Sequence, residues 1–412
     1  MALAKGIADG QRMGSYNSSM ARPFDVCVRG AGIVGRTLAL HLASRRLRVA
    51  LVSQAVGSNP AHSDVRAYAL NASSRELLEG IRCWPAVEAA TPVLAMEVFG
   101  DQGGQVRFDA SEQGAQALNW IVDVPALEAQ LQEATRYQPL IEVVDAPVAA
   151  ELTVICEGRA SSTRAEFGVE FQVRPYGQSA LASRVHCSLA HGQVARQWFD
   201  AGEITALLPL GGPGGNLCAL VWSVSPERAL QLQQEDDSTF CHLLEAATHG
   251  AAGSLSLAGP RHAWSLQAAL AQRWCGVRSG ETPEQRGSWA LAGDAAHNVH
   301  PLAGQGLNLG LGDVAELVRI LDARPYWRSV GDMRLLRTYE RARKADYAMV
   351  GGSGDALQKL FSQPNTAIQT LRNAGMNGFS RSGPLKQWIA QRAMGAALRQ
   401  TAASAANPQT HA

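Results

Sequence analysis

Apolar positions first cluster in Phe24–Arg29 (FDVCVR), a run of the length expected for a buried strand. A glycine-rich turn follows, then an alanine- and leucine-rich helical stretch, Arg36–Arg45, and a second apolar run, Arg48–Val52 (RVALV). Strand, helix and strand in that order predict a parallel pair joined by a crossover helix. Pro92–Val98 and Val106–Asp109 read as strands flanking a Gly103-Gly104 turn. A helix is predicted around Ala126–Arg136, with short strands at Leu140–Val144 and Leu152–Cys156. From Val169 to Trp222 the pattern is mostly strand-like, punctuated at Gly211–Gly215. Helical character returns around Ser238–Ala247, Ser288–Ala292 is again a short buried strand, and beyond Asn308 the chain reads as helical to about residue 400. The βαβ opening, strand-rich middle and late return to a strand ending in Gly-Asp predict an α/β protein, a Rossmann-like nucleotide domain interleaved with a sheet domain.

Composition narrows the class. A chain of 412 residues with 46% hydrophobic positions can bury a large core and divide into lobes. Lys+Arg 37 against Asp+Glu 36 leaves +1, no global field for nucleic acid. No apolar run approaches the ~18 residues needed to span a bilayer, and the first 22 residues lack a secretory signal's apolar stretch. Seven cysteines, an odd number without a CxxC pair, predict free thiols in a reducing compartment and a cytoplasmic protein.

The candidate chemistry sits in two motifs. Gly30-Ala31-Gly32-Ile33-Val34-Gly35 is a GxGxxG after a strand and before a helix. The first glycine permits the tight turn, the second lets backbone approach a pyrophosphate, and the third packs helix on strand. The acid that usually receives the ribose should close the second strand, where Ser53 and Gln54 stand instead. The second motif is Trp289-Ala-Leu-Ala-Gly293-Asp294-Ala-Ala-His297-Asn-Val-His300-Pro301-Leu-Ala-Gly304-Gln305-Gly306-Leu307-Asn308-Leu-Gly310. Asp294 at a strand end can bind sugar hydroxyls. Pro301, Gly304 and Gly306 let backbone run against a planar ring, and a helix starting near Asn308 aims its positive end at the same spot.

These motifs, with Asp64-Val-Arg66, Glu157-Gly158-Arg-Ala-Ser161-Ser-Thr-Arg164, Ala206–Leu210, Ala219–Ser223 and Leu336–Arg341, resemble the class A flavoprotein monooxygenases. Within them the chain is similar to the ubiquinone-biosynthesis hydroxylases, from Phe24 to Gly395. The resemblance implies a p-hydroxybenzoate-hydroxylase-like fold, FAD, molecular oxygen, a reductant that is NAD(P)H or a partner reductase, and ring hydroxylation of a polyprenylated phenol. In that scheme FAD is reduced, oxygen adds at flavin C4a as a hydroperoxide, and an electrophilic hydroxyl passes to the ring. The implied FAD-binding set is Gly30, Gly32, Gly35, Ser53, Arg66, Asp294, Pro301, Gly304, Gly306, Leu307 and Asn308; no catalytic base is assigned. Implied partners are other quinone-biosynthesis proteins and a membrane surface at the inner face. The implied partition is an FAD-binding domain (23–90, 120–175 and 283–325), a substrate-binding sheet domain (91–119 and 176–282) and a C-terminal helical lobe (326–400), with flexible tails at 1–22 and 401–412. Three departures accompany the match: Ser53 for the ribose acid, Val124 where relatives present a polar side chain to the flavin, and Glu157 for an aspartate. The stretch between Arg136 and Leu152 is also shortened.

Other residues carry weaker signals. His297 and His300 are three apart, but no acidic or cysteine partner stands at ligand spacing, so a structural or near-flavin role is expected and a metal is not. His191 reads as a sheet-surface or cavity histidine, Cys156 as packing, and Trp222 and Pro209 as either ring contacts or core. Between Arg324 and Gln400 stand 13 Lys/Arg against 4 Asp/Glu, with a helical stripe of Leu385, Trp388, Ile389 and Arg392. Such a stripe suits core packing or a membrane surface. Two alternatives remain open at this point: a flavoprotein oxidase or reductase, and a cofactor-poor accessory subunit of a quinone-biosynthesis assembly.

Overall fold

The computed structural model describes residues 24–53, 64–101, 103–278, 280, 286–299 and 305–361, with 350–361 as backbone. The tails at 1–22 and 401–412 and the stripe from Leu385 to Arg392 lie outside the described residues.

β1 (Phe24–Arg29) and β2 (Val49–Val52) form the expected parallel pair, with Val26 opposite Val49 and Arg29 opposite Val52. α1 runs Ile33–Ser44. It begins three residues before the alanine-rich run because Gly32, with extended backbone, is itself the N-cap. The six-stranded sheet has the order β16 (Cys275–Arg278), β17 (Gly287–Leu291), β9 (Ala150–Ile155), β1, β2, β8 (Ile141–Val144). Every pairing in it is parallel except β16 with β17. All four residues of β2 are buried, as in a strand covered on both faces. α1, α3 (Val124–Arg136) and α7 (Gln305–Asp322) share one core with it, built on Val26, Val28, Leu42, Leu127 and Leu317.

A nine-stranded sheet forms the second lobe, in the order β18 (His297–Asn298), β15 (His262–Ala271), β10 (Phe171–Cys187), β13 (Leu217–Val224), β12 (Glu203–Leu210), β11 (Val194–Asp200), β5 (Ala95–Phe99), β6 (Gln105–Asp109), with β14 (Leu255–Leu257) paired to β10. Between the lobes lies a small sheet, β3 (Ala67–Leu70), β7 (Asn119–Asp123) and β4 (Ala90–Val93). The single strand expected over Pro92–Val98 is therefore two. The chain leaves the small sheet at Val93 and joins the large one at Ala95, a sheet change that an apolar run does not encode. α2 (Ala72–Gly80), which the apolar pattern did not predict, follows β3 and is capped by Asn71, whose side chain accepts from the Ser74 N–H.

The ambiguous aromatic and proline resolve here. Trp222 is 1% exposed, lies near Phe240 of α6 (Asp237–Ala247) with ring centroids 6.0 Å apart, and donates to Glu203. It is core on the helix-covered face, because even-numbered β13 residues point away from the small sheet. Pro209 is buried beyond the last residue of β12 that pairs with β11 and lies opposite Cys218 of β13. The last described element, α8 (Met333–Phe361), crosses behind the six-stranded sheet and docks through the Tyr339 hydroxyl, which donates to Leu291 O at 2.8 Å.

Candidate functional site

Backbone geometry at the first turn is dictated by contacts. Gly30 has φ +109°, and a Cβ there would meet Cys156 O at 2.5 Å; a Cβ on Gly35 would meet Gly30 O at 1.9 Å. Both positions exclude any side chain because strand and helix pack at this point. Gly32 differs: nothing lies within 4 Å of its Cβ position. That open ground lies at the start of α1, which carries no acid in its first turn and no side-chain cap, leaving its N–H groups for an anion. Arg36 pins the turn, donating to Ala31 O and to Thr135 Oγ1, both at 2.7 Å.

The Gly-Asp turn after β17 is held from three sides. Asp313, fully buried on α7, accepts from Gly293 N–H (2.8 Å), from His297 Nε2–H (2.7 Å) and from Arg343 Nε–H of α8 (2.7 Å). The contacts with His297 and Arg343 overcome the effect of burial, and the Asp313 carboxyl lies below its ordinary range. Arg164, buried over the Phe171 ring, donates to Ala295 O at 3.1 Å. The turn so fixed leaves Asp294 exposed at its tip while protein crowds it on the remaining sides. That lost hydration pushes its pKa up, against the pull of His297 and Arg159.

His297 is thus a structural residue, 1% exposed, with its ring stacked 4.9 Å from Trp274. Its acidic partner is Asp313, sixteen residues on, which reaches it because α7 folds back along the turn. Among the described residues no group of three or more His, Cys, Asp or Glu could hold a metal. His300, Pro301 and Gly304 lie outside the described residues. Gly306 has open space around its Cβ position, and Leu307 packs on the nucleotide-lobe core. The Asn308 side chain is committed to position: Nδ2 donates to Ala69 O (2.8 Å), while Oδ1 accepts from Asn71 N–H (3.0 Å) and Ser74 O–H (2.7 Å). It fastens the start of α7 to β3 and α2.

Arg66 enters the site paired to Asp64 at 2.5 Å, with Glu128 at 3.7 Å. Hydrogen bonding to Asp64 raises its pKa further. Two residues on, Tyr68 of β3 lies in the fields of Arg66 and Asp294. Burial pushes its phenol up, so it remains a neutral donor. The motifs alone missed Tyr68; the one available signal was its i+2 spacing from Arg66 on a strand.

The departures from the family pattern have structural counterparts. Ser53 is half-buried, its N–H bonded to Val144 O (3.0 Å) at the end of β2. Gln54 lies outside the described residues. Val124 is 1% exposed in the core. Glu157 is turned inward: Oε1 accepts from Arg29 Nε–H (3.1 Å), and Oε2 from Ser161 O–H (2.8 Å) and Thr163 N–H (3.3 Å). In place of a surface histidine, His191 is 2% exposed, with Nε2 bonded to Leu210 O at 3.1 Å, and it locks the Gly211–Gly215 loop. Burial lowers its pKa, favouring the neutral ring. All seven cysteines are buried and free.

The two-lobed fold and paired turns define a class, the FAD-dependent aromatic monooxygenases. Residues 109–350 match the family model described as FAD binding domain. The chain is 30% identical to 3-demethoxyubiquinol 3-hydroxylase of Escherichia coli (strain K12), an alignment covering 91% of this chain and 99% of that protein. It is 29% identical to ubiquinone hydroxylase UbiL of Rhodospirillum rubrum, covering 95% of each. Among solved structures, p-nitrophenol 4-monooxygenase PnpA from Pseudomonas putida DLL-E4 shares the fold with TM-score 0.69 at 17% identity, over 90% of this chain and 98% of that one. HpxO of Klebsiella pneumoniae, complexed with FAD and uric acid, does so with TM-score 0.63 at 16% identity, over 90% and 96%. The chain belongs to the ubiquinone-biosynthesis FAD hydroxylase family and is an FAD-dependent monooxygenase.

Proposed function

We propose that this enzyme hydroxylates the ring of a polyprenylated phenol, with molecular oxygen as co-substrate and electrons from NAD(P)H or a partner reductase. The observation that carries the reading is the alignment with the Escherichia coli hydroxylase, which runs over 99% of that protein. FAD, when bound, supplies the oxygen-activating chemistry. The residues present suit it: space above Gly32, free N–H groups opening α1, and an outward carboxylate on Asp294.

Within that reading, Gly30, Gly32 and Gly35 give the pyrophosphate its backbone cradle, Ser53 faces the adenosine ribose, and Asp294 accepts from sugar-alcohol hydroxyls. Pro301, Gly304, Gly306, Leu307 and Asn308 are assigned to the ring system by their place in the motif, and the start of α7 places its positive end against developing negative charge. Arg66, oriented by Asp64, presents cationic charge and Tyr68 a neutral hydroxyl to the same space. A phenolic ring is already electron-rich, so orientation and exclusion of water are the protein's main tasks. No described helix is long and apolar enough to cross a membrane. A lipid-tailed substrate nevertheless favours a cytoplasmic enzyme working at the inner membrane face, beside other quinone-biosynthesis proteins. The test is mass spectrometry of quinone intermediates in a deletion strain, with and without the gene restored. A precursor lacking one ring hydroxyl should accumulate and disappear on restoration, and an unchanged intermediate pool would sink the reading.

A further inference from the structure

The small sheet and α2 border a half-open cavity of about 410 Å³, within the range of small-molecule sites (about 300–1,000 Å³). Trp84 and Trp120 build its wall edge to face, with centroids 6.0 Å apart and planes at 87°. The Arg75 guanidinium lies 5.4 Å and 4.6 Å from the two ring centroids, and its charge is paired with Glu79 at 2.7 Å. Pro92, Val87 and Leu94 continue the lining, and the last two are 48% and 41% exposed. Two exposed aliphatic side chains thus stand beside the aromatic wall of the hollow.

The cavity sits at the seam of the lobes. Leu94 N–H donates to Gln193 O (2.9 Å), and Gln193 Nε2 to Pro92 O (3.3 Å), so the rim is tied to the large sheet. On the inner side Trp120 pairs with Leu70 across β3–β7. The next residue, Asn71, and the adjoining Ser74 hold Asn308 at the start of α7. Arg75, one residue after Ser74, already lines the cavity. A single helical turn thus separates the cavity from the helix that flanks the flavin.

We propose that this cavity takes an isoprenoid segment of the substrate tail, an inference that rests on the prenylated-phenol reading above. An isoprenoid has no hydrogen-bonding group, and its methyl-bearing double bonds pack against aromatic faces. Its one charged lining residue, Arg75, is already stacked and ion-paired, so an anionic ligand finds no open cation there, and the polar Gln116 stands beside the apolar lining. At this volume it holds part of a polyprenyl tail, and the rest leaves over Val87 and Leu94.

The test uses FAD-loaded enzyme, with farnesol as probe and the two tryptophans as reporters. Farnesol should change tryptophan fluorescence saturably. The double substitution Val87→Asp, Leu94→Asp, at exposed positions, should weaken that binding about tenfold, or ~1.4 kcal/mol. It should leave the melting temperature and turnover of the tail-free 2-allylphenol unchanged, while KM for a farnesylated phenol rises. Equal farnesol affinity in the two proteins would overturn the inference, as would a loss of 2-allylphenol turnover matching the loss with the long-tailed phenol. Tail-dependent farnesol binding in an enzyme that hydroxylates neither phenol would instead sustain the cavity and remove the ring-hydroxylation reading.

Discussion

At the scale of single residues, the proposed hold on FAD rests on Asp294 and Ser53. Asp294 is crowded enough that its pKa rises above the ordinary 3.8. A raised folded-state value means that the charged form is the disfavoured one. The flavin-free protein therefore gains stability as pH falls through the folded pKa toward the unfolded one. Sugar hydroxyls need the charged acceptor, so FAD affinity should fall over that same acid window, starting above the usual carboxylate range. Asp294→Asn should flatten the pH dependence, and Asp294→Ala should cost about 1.5–3 kcal/mol of FAD affinity in a folded protein. Flavin absorbance after equilibrium dialysis at several pH values reads both; wild-type affinity in the alanine variant would show the carboxylate to be misassigned. At Ser53, a neutral side chain stands where a charged acceptor binds ribose more strongly. Ser53→Glu should tighten FAD by ~1–2 kcal/mol in isothermal titration of the apoproteins. An equal or weaker value would mean that another group already satisfies the ribose. The Gly-Asp turn that carries Asp294 and the strand end that precedes Ser53 were legible in the sequence, because both are set by their immediate neighbours.

At the scale of elements, the turn that carries Asp294 is only as firm as its union with α7 and α8. Asp313 links Gly293, His297 and Arg343 in one buried charge cluster. Arg343→Met removes a cation from a fully buried carboxylate and should destabilise the protein by about 3–5 kcal/mol. Thermal unfolding should show that loss together with faster flavin release, and a variant that melts like wild type would mean that His297 suffices. Because Asp313 is depressed below its ordinary 3.8, its contribution is present above the unfolded value and fades as acid protonates it. A second lock joins β1 to the segment after β9, where Arg29 and Ser161 bind the Glu157 carboxylate. Glu157→Ala should leave Arg29 with Glu166 at 3.3 Å as its remaining partner and cost about 1–3 kcal/mol, measured by urea denaturation. An unaltered midpoint would show Glu166 to be enough. Most of these elements were visible as apolar runs. Their partnerships were not, since Arg29 meets Glu157 and Glu166 across 128 and 137 positions of sequence.

At the scale of the molecule, the chain passes repeatedly between lobes, and the seam it creates contains both the proposed flavin side and the aromatic cavity. The small sheet draws its strands from 67–70, 90–93 and 119–123, between segments that belong to the larger sheets. One consequence is asymmetric packing: Trp120 and Val122 face the nucleotide-lobe core, while Ile121 between them packs with Ala195, Leu210 and Ala219 of the large sheet. A β-strand allows this because alternate side chains point to opposite faces.

The sequence by itself determined the βαβ opening, the glycine turn and the Gly-Asp turn, because strand periodicity, helix starts and tight turns are short-range physics. It determined the family for the same reason, since the motif residues are contiguous. Only the tertiary structure decided that Asp313 and Arg343 hold the turn, that Tyr68 shares space with Arg66 and Asp294, and that Glu157 faces inward. It likewise decided that Trp222 is core while Trp84 and Trp120 wall a cavity. Each of those outcomes depends on which surfaces meet when the sheets stack, and that is set by long-range packing, which leaves no local periodicity to read.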